Sequence, residues 1–223
     1  MFYDRASAGV ALARKLQGQS LRRPVLVLGL PRGGAPVAYE VARALKAPLD
    51  VMLVRKIGMP GQPELAIGAI ASGDVIVHAP RVAHERINFD GVFERLVNQQ
   101  RRELERREHL YRTNRGPLDL KGKTVILVDD GLATGFTMLA AIRAARKLAA
   151  ASVIVAAPVA SLEAADLVSA EADEVVILRT PARLSAVGEW YRDFGQTQDA
   201  EVCRLLALNR QDPTRATGSR ISA

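Results

Sequence analysis

Cysteine, histidine and aromatic residues are scarce in this chain. The single cysteine, Cys203, excludes an internal disulfide and a cysteine-based zinc cluster. A lone thiol also fits a cytoplasmic protein. The three histidines, His78, His84 and His109, lack metal-ligand spacing and read as surface residues. Aromatics make up 4% of the chain, so Val, Leu, Ile and Ala must build the core. No apolar run is long enough to span a bilayer: the longest, residues 149–160, is broken by Ser152 and Pro158, and no membrane partner is expected. Asp4, Arg5, Arg14 and Lys15 interrupt the N-terminal stretch, so no signal peptide is expected there either. Internal repeats and low-complexity tracts are absent.

What remains is an ordinary globular mixture, 48% hydrophobic and 25% charged in 223 residues. Short β-branched runs alternate with helical stretches. Residues 25–30, 50–54, 125–128, 152–157 and 174–178 read as strands. Residues 35–46, 136–148 and 162–170 read as helices between them. Such alternation predicts an α/β fold, a parallel sheet with helices on both faces. Residues 5–16 form an amphipathic N-terminal helix, with Ala8, Leu12 and Leu16 on one face. Residues 58–115 read as an insertion: a hairpin over 66–78 turning at Ser72-Gly73-Asp74, then a long charged helix over 93–112. One domain over residues 1–208 is expected, with 209–223 a disordered tail. Cys203 reads as a small core residue of a late helix.

The formal charge is +7, which makes nucleic acid a partner to consider. Much of the excess lies in two places. Residues 94–115 hold seven arginines against four carboxylates, and residues 209–223 hold three arginines against one. At helical spacing Glu103 faces Arg106 and Arg107, and Glu108 faces Arg112. Solvation or an oligomer contact explains such a helix, so nucleic acid is not expected and a homo-oligomer stays open.

The chemistry is concentrated in Val125-Ile126-Leu127-Val128-Asp129-Asp130-Gly131-Leu132-Ala133-Thr134-Gly135-Phe136-Thr137. A buried strand delivers two adjacent carboxylates to its carboxyl end, where α/β sheets bind ligands. A loop of small residues then enters a helix, presenting unpaired N–H groups to an anion. Gly135 lets backbone approach a phosphate closely, and Thr134 and Thr137 add hydroxyl donors. Two acids beside an anion cradle make sense when the ligand also offers hydroxyls, and a ribose 5-phosphate does both.

This run resembles the 5-phosphoribosyl-1-pyrophosphate (PRPP) signature of type I phosphoribosyltransferases. The resemblance implies that Asp129 and Asp130 hold the ribose hydroxyls, and that Gly131, Leu132, Ala133, Thr134, Gly135 and Thr137 wrap the 5′-phosphate. It extends to Pro31-Arg32-Gly33-Gly34, to Arg55-Lys56-Ile57-Gly58, to residues 63–69 and to Trp190-Tyr191-Arg192-Asp193-Phe194. That set is similar to a bacterial group of phosphoribosyltransferases with no settled acceptor. It implies a pyrophosphate-binding role for Arg32, Gly33, Gly34, Arg55 and Lys56. Read as sequence alone, Arg55-Lys56 is equally a solvated basic turn.

Ala133 stands where the hypoxanthine-guanine type has an aspartate near the purine, so the loop resembles the adenine and orotate types more closely. The implied reaction is displacement of pyrophosphate from PRPP by a nitrogen acceptor, with Mg²⁺ as cofactor, held chiefly by substrate oxygens and water rather than by protein ligands. A lid formed by the 58–115 insertion would exclude water. Glu64 and Glu85 are candidate proton-transfer groups and equally plain surface carboxylates. Trp190-Tyr191 either stack an acceptor in a hood or dock the C-terminal segment. Two other functions share the fold: a PRPP-binding or RNA-binding regulator, and a partner-dependent subunit.

Overall fold

The computed structural model describes residues 1–79, 91–113 and 115–211. In chain order its elements are α1 (Arg5–Gln17), β1 (Val25–Gly29), α2 (Gly34–Leu45), β2 (Leu49–Val51), β3 (Val54–Met59), β4 (Gln62–Ala71), β5 (Val75–His78) and α3 (Val92–Tyr111). They continue with β6 (Thr124–Val128), α4 (Phe136–Lys147), β7 (Ser152–Val159), α5 (Leu162–Ser169), β8 (Glu174–Arg179), a 3₁₀ turn (Val187–Trp190) and α6 (Asp199–Gln211). Five strands form one parallel sheet in the order β2-β1-β6-β7-β8. This is the expected α/β architecture, a parallel sheet with helices on both faces. No helix among the described residues is long and apolar enough to cross a membrane.

Alternation along the central strands divides the core in two. Val125 and Leu127 of β6, with Val153, Val155 and Ala157 of β7, face α4 and α5 through Met138, Leu139, Ile142, Ala164 and Val168. Ile126, Val128, Ile154 and Ala156 face the opposite way, onto α1, α2 and α6 through Leu12, Leu16, Val37, Val41, Val202 and Leu206. Each such side chain contributes about 1.5–3 kcal/mol when fully buried. A strand buried on both faces is apolar along its length, as β6 is from Val125 to Val128 after Thr124. The first polar side chains after it, Asp129 and Asp130, therefore stand at the sheet's carboxyl edge.

The insertion is built differently from the sequence expectation. The β4–β5 hairpin turns where expected, with Gly73 at φ 81° and Asp74 at φ 56°. A third antiparallel strand, β3, joins it and carries Arg55 and Lys56, so these residues lie in a strand rather than a turn. Ile57, Ile67, Ala69, Ile70, Ala71, Val75 and Val77 are buried in the two cores, as are Val97, Leu104 and Tyr111 of α3. The described parts of the segment expected as a lid are thus packed into the body. Beyond α3, Arg112 turns inward to Asp50 of β2 rather than outward to Glu108, because Asp50 is buried and needs its charge met. Arg115 joins the same carboxylate at 2.7 Å. α6 continues to Gln211, past residue 208; tail residues 212–223 lie outside the described residues.

Candidate active site

Two loops converge where β1 and β6 end. Leu30 N–H donates to Val128 O at 2.8 Å, which joins the start of the Pro31–Gly34 turn to the end of β6. Behind that contact the glycines press on the acids. A Cβ on Gly33 would lie 2.1 Å from Asp130 Oδ2, and one on Gly34 would lie 2.6 Å from Val128 O and 2.9 Å from Asp129 Cα. A side chain at Gly34 would run into backbone, and one at Gly33 would displace the Asp130 carboxylate. The resemblance implied a pyrophosphate-binding role for these glycines; the structure adds their close approach to the acid pair. The Pro31–Arg32 peptide is cis.

The loop after the acids is held from behind. Leu132 N–H donates to Val159 O, Ser161 N–H to Leu132 O and Ser161 Oγ to Ala133 O, each within 2.9 Å. Ser161 also caps α5 by accepting from Ala164 N–H. Gly135, at φ 72°, begins α4, whose N-terminus has no side-chain cap. Ala133 and Thr134 are exposed beside it, Thr137 is half-buried, and Leu132 is buried as the loop's anchor. A rigid loop therefore leads into an uncapped helix N-terminus a few residues from two carboxylates.

Asp129 and Asp130 differ in their surroundings. Asp130 N–H donates to Asp129 Oδ1 at 2.9 Å. Burial raises the Asp129 carboxyl well above the usual carboxylate range, and the neighbouring Asp130 charge adds to this. Asp130 instead meets a cation: Arg5 Nε, from the start of α1, donates to Asp130 Oδ2 at 2.8 Å. Tyr191 Oη donates to the Asp130 carbonyl at 2.5 Å, and burial pushes the Tyr191 phenol up, with Asp130 a further cause. Tyr191 stacks on Phe194 at 5.0 Å between ring centroids and meets Phe2 at 5.7 Å. The extended Phe2–Tyr3 segment pairs with the backbone of Trp190, Arg192 and Asp193. The N-terminus and the 190–195 segment thus form one cover over the acid pair. The sequence reading offered Trp190-Tyr191 as a hood or a docking segment; the structure sends Tyr191 to the acids and leaves Arg5 as the residue it missed.

The expected cations are more dispersed. Arg32 lies 3.8 Å from Asp199 at the start of α6, and Asp199 accepts from the buried Tyr111 hydroxyl at 2.5 Å. Arg55 donates to Gln100 of α3 at 3.1 Å; burial lowers its pKa, and Arg107 lowers it further. Lys56 is exposed. The structure therefore brings Gly33 and Gly34 onto Asp129 and Asp130, while Arg32 lies beside Asp199 and Arg55 against α3. Among the described residues no cluster of three or more His, Cys, Asp or Glu side chains is placed to hold a metal ion by itself. Glu85, His84 and the side chain of Glu64 lie outside the described residues.

At its carboxyl edge the parallel α/β sheet thus joins an acid pair to a small-residue loop opening a helix. Comparison with known sequences makes this particular. The phosphoribosyl transferase domain family matches residues 3–188, and the chain belongs to that family. It is 44% identical over 212 residues to two Mycobacterium tuberculosis proteins provisionally named phosphoribosyl transferases, covering 95% of this chain. The chain spans about half, 48%, of the length of those curated relatives. The crystal structure of TT1426 from Thermus thermophilus is 45% identical, with a TM-score of 0.80, covering 92% of this chain and 97% of that one.

Proposed function

We propose that this protein is a Mg²⁺-dependent phosphoribosyltransferase that transfers 5-phosphoribose from PRPP to a nitrogen acceptor and releases pyrophosphate. The observation that carries the reading is the approach of Gly33 and Gly34 to Asp129 and Asp130 beside the uncapped start of α4. In this reading Asp129 and Asp130 accept hydrogen bonds from the ribose hydroxyls. The N–H groups of residues 131–135, with the Thr134 and Thr137 hydroxyls, hold the 5′-phosphate. Arg32, Gly33 and Gly34 meet the pyrophosphate, and Arg55 and Lys56 supply positive charge near it.

The acceptor nitrogen forms a bond to C1 as the bond from C1 to the pyrophosphate oxygen breaks, with inversion. Positive charge builds on the ribose ring and negative charge on the leaving pyrophosphate. Fixed dipoles and cations lower that barrier without a covalent intermediate. The two carboxylates and the substrate oxygens are hard donors of the kind Mg²⁺ takes, and Asp129 and Asp130 would meet the ion through water. Once bound, Mg²⁺ neutralises charge on the leaving group. Closure of part of the 58–115 segment over PRPP belongs to the same proposal.

Two measurements test it. Protein, PRPP and Mg²⁺ incubated with a panel of bases and amines should release pyrophosphate with at least one acceptor. Calorimetric titration of PRPP with Mg²⁺ should show Asp130→Asn weaker than wild type by about 1.5–3 kcal/mol, the worth of a hydrogen bond to a charged group. Equal affinities remove the ribose role from Asp130.

A further inference from the structure

We propose that Arg5, the first residue of α1, is a positioning residue of the ribose subsite that holds the Asp130 carboxylate in place to accept the sugar hydroxyls. This rests on the phosphoribose reading above. Three contacts fix the guanidinium. Nε donates to Asp130 Oδ2 at 2.8 Å, Nη1 donates to Gly195 O at 2.6 Å, and the group lies 3.9 Å from the centroid of the Phe194 ring. The two charged side chains are 12% and 15% exposed, so solvent does little to screen the pair.

The simpler alternative is a staple that only fastens α1. The helix does not need one. Ala8, Leu12, Ala13 and Leu16 are buried beneath it, Asp4 and Ser7 form a reciprocal cap at its start, and Phe2 pairs with the 190–192 backbone just before it. The ion pair also lands on a particular oxygen. Oδ2 accepts from Arg5 in the space that a Cβ on Gly33 would fill, so the ion pair fixes one oxygen of Asp130 and the carboxylate's orientation with it. Preorganised acceptors do not have to reorder when substrate arrives.

The charge matters as much as the geometry. An ionised carboxylate is the stronger acceptor, and adjacent carboxylates resist sharing two negative charges. The charged and titratable groups that act on Asp129 are Asp130 and Arg5, with Tyr191 close by. Arg5 is the cation that offsets burial and Asp130 at this position.

Arg5→Gln, Arg5→Lys, Asp130→Asn and the double variant Arg5→Gln/Asp130→Asn test this by calorimetric titration with PRPP and Mg²⁺, each folded state checked by thermal melting. Arg5→Gln should bind about tenfold or more weakly. Arg5→Lys should recover part of the affinity. The double variant should lose little beyond Asp130→Asn alone. If Arg5→Gln does not fold, Arg5→Lys decides: unchanged affinity there overturns the inference. A wild type that takes no PRPP overturns the phosphoribose reading and this inference together. A wild type that binds, with Arg5→Gln matching it in affinity, overturns the inference alone. Tighter binding by Arg5→Gln makes the ion pair a barrier and overturns it equally.

Discussion

Asp129 sits where folding and ligand binding pull against each other. Its carboxyl is raised by burial first and by Asp130 second, so the folded chain holds that proton more tightly than the unfolded chain, whose aspartates titrate near about 3.9. Between the unfolded value and the raised folded value the native state binds more protons, and stability falls as pH rises through that window. Below the window the two states are equally protonated and the penalty is absent. Asp129→Asn removes the group, so its melting temperature should exceed that of wild type at neutral pH. The gap should close as pH is lowered toward the unfolded value. Thermal melts across pH check this, and a gap independent of pH would refute the raised proton affinity. The same variant should bind PRPP more weakly, stability gained where a binding group is lost. The acid pair was legible in the sequence because strand, acids, loop and helix are contiguous there. Arg5 was not: it is 125 positions away from its partner, and in the sequence it is one charged residue at the start of an amphipathic helix.

At the scale of elements, the parallel βα units could be read from alternating apolar runs, and the sheet delivers Asp129 and Asp130 to its carboxyl edge as that pattern requires. The β3–β5 sheet was half legible. Its second turn carries Ser72-Gly73-Asp74, but the first strand continues from β2 through Met52 and Leu53 with only a short break, and Arg55-Lys56 conceals it. The placement of α3 could not be read, since it depends on the long-range packing of Val97, Leu104 and Tyr111 and, just beyond the helix, on charges meeting across 62 residues. Arg112 donates from Nε and Nη2 to the two oxygens of Asp50, each at 3.2 Å, and Arg115 reaches the same carboxylate. These side chains are 11–15% exposed. Removing the shared acid leaves two arginines buried without their counter-charge. Asp50→Ala should therefore cost about 3–5 kcal/mol, well above an exposed pair. Denaturant unfolding measures it, and a loss under about 1 kcal/mol would place the cluster with ordinary surface pairs.

For the molecule as a whole, the question is what the +7 charge does. Non-specific nucleic-acid binding is driven by clustered Lys and Arg releasing counterions along a phosphate track. The charged helix does not present such a cluster. Arg106 and Arg107 both donate to Glu103, and the hydrogen bond from Arg106 holds that carboxyl down to about 2, with Arg107 adding to it. Glu103 therefore stays ionised until pH falls toward that value, and the pairing persists across the whole neutral range. Arg101 is taken by Asp74 at 2.8 Å, and Arg112 and Arg115 by Asp50. Elsewhere Arg143 pairs with Glu171 and Arg146 with Asp173. Much of the positive charge is thus neutralised pair by pair. Arg32 lies beside Asp199 and Arg55 against Gln100, and in the proposed function both serve the pyrophosphate. Binding to single-stranded RNA or duplex DNA should consequently be no tighter than about 10⁻⁴–10⁻⁶ M at physiological salt, without sequence preference. Fluorescence anisotropy with labelled oligonucleotides measures this directly. Addition of PRPP and Mg²⁺ should leave the weak signal unchanged or reduce it, as a small polyanion competes for the same arginines. Nanomolar, sequence-dependent binding that responds to PRPP would overturn this account of the charge and favour a regulator built on the same fold.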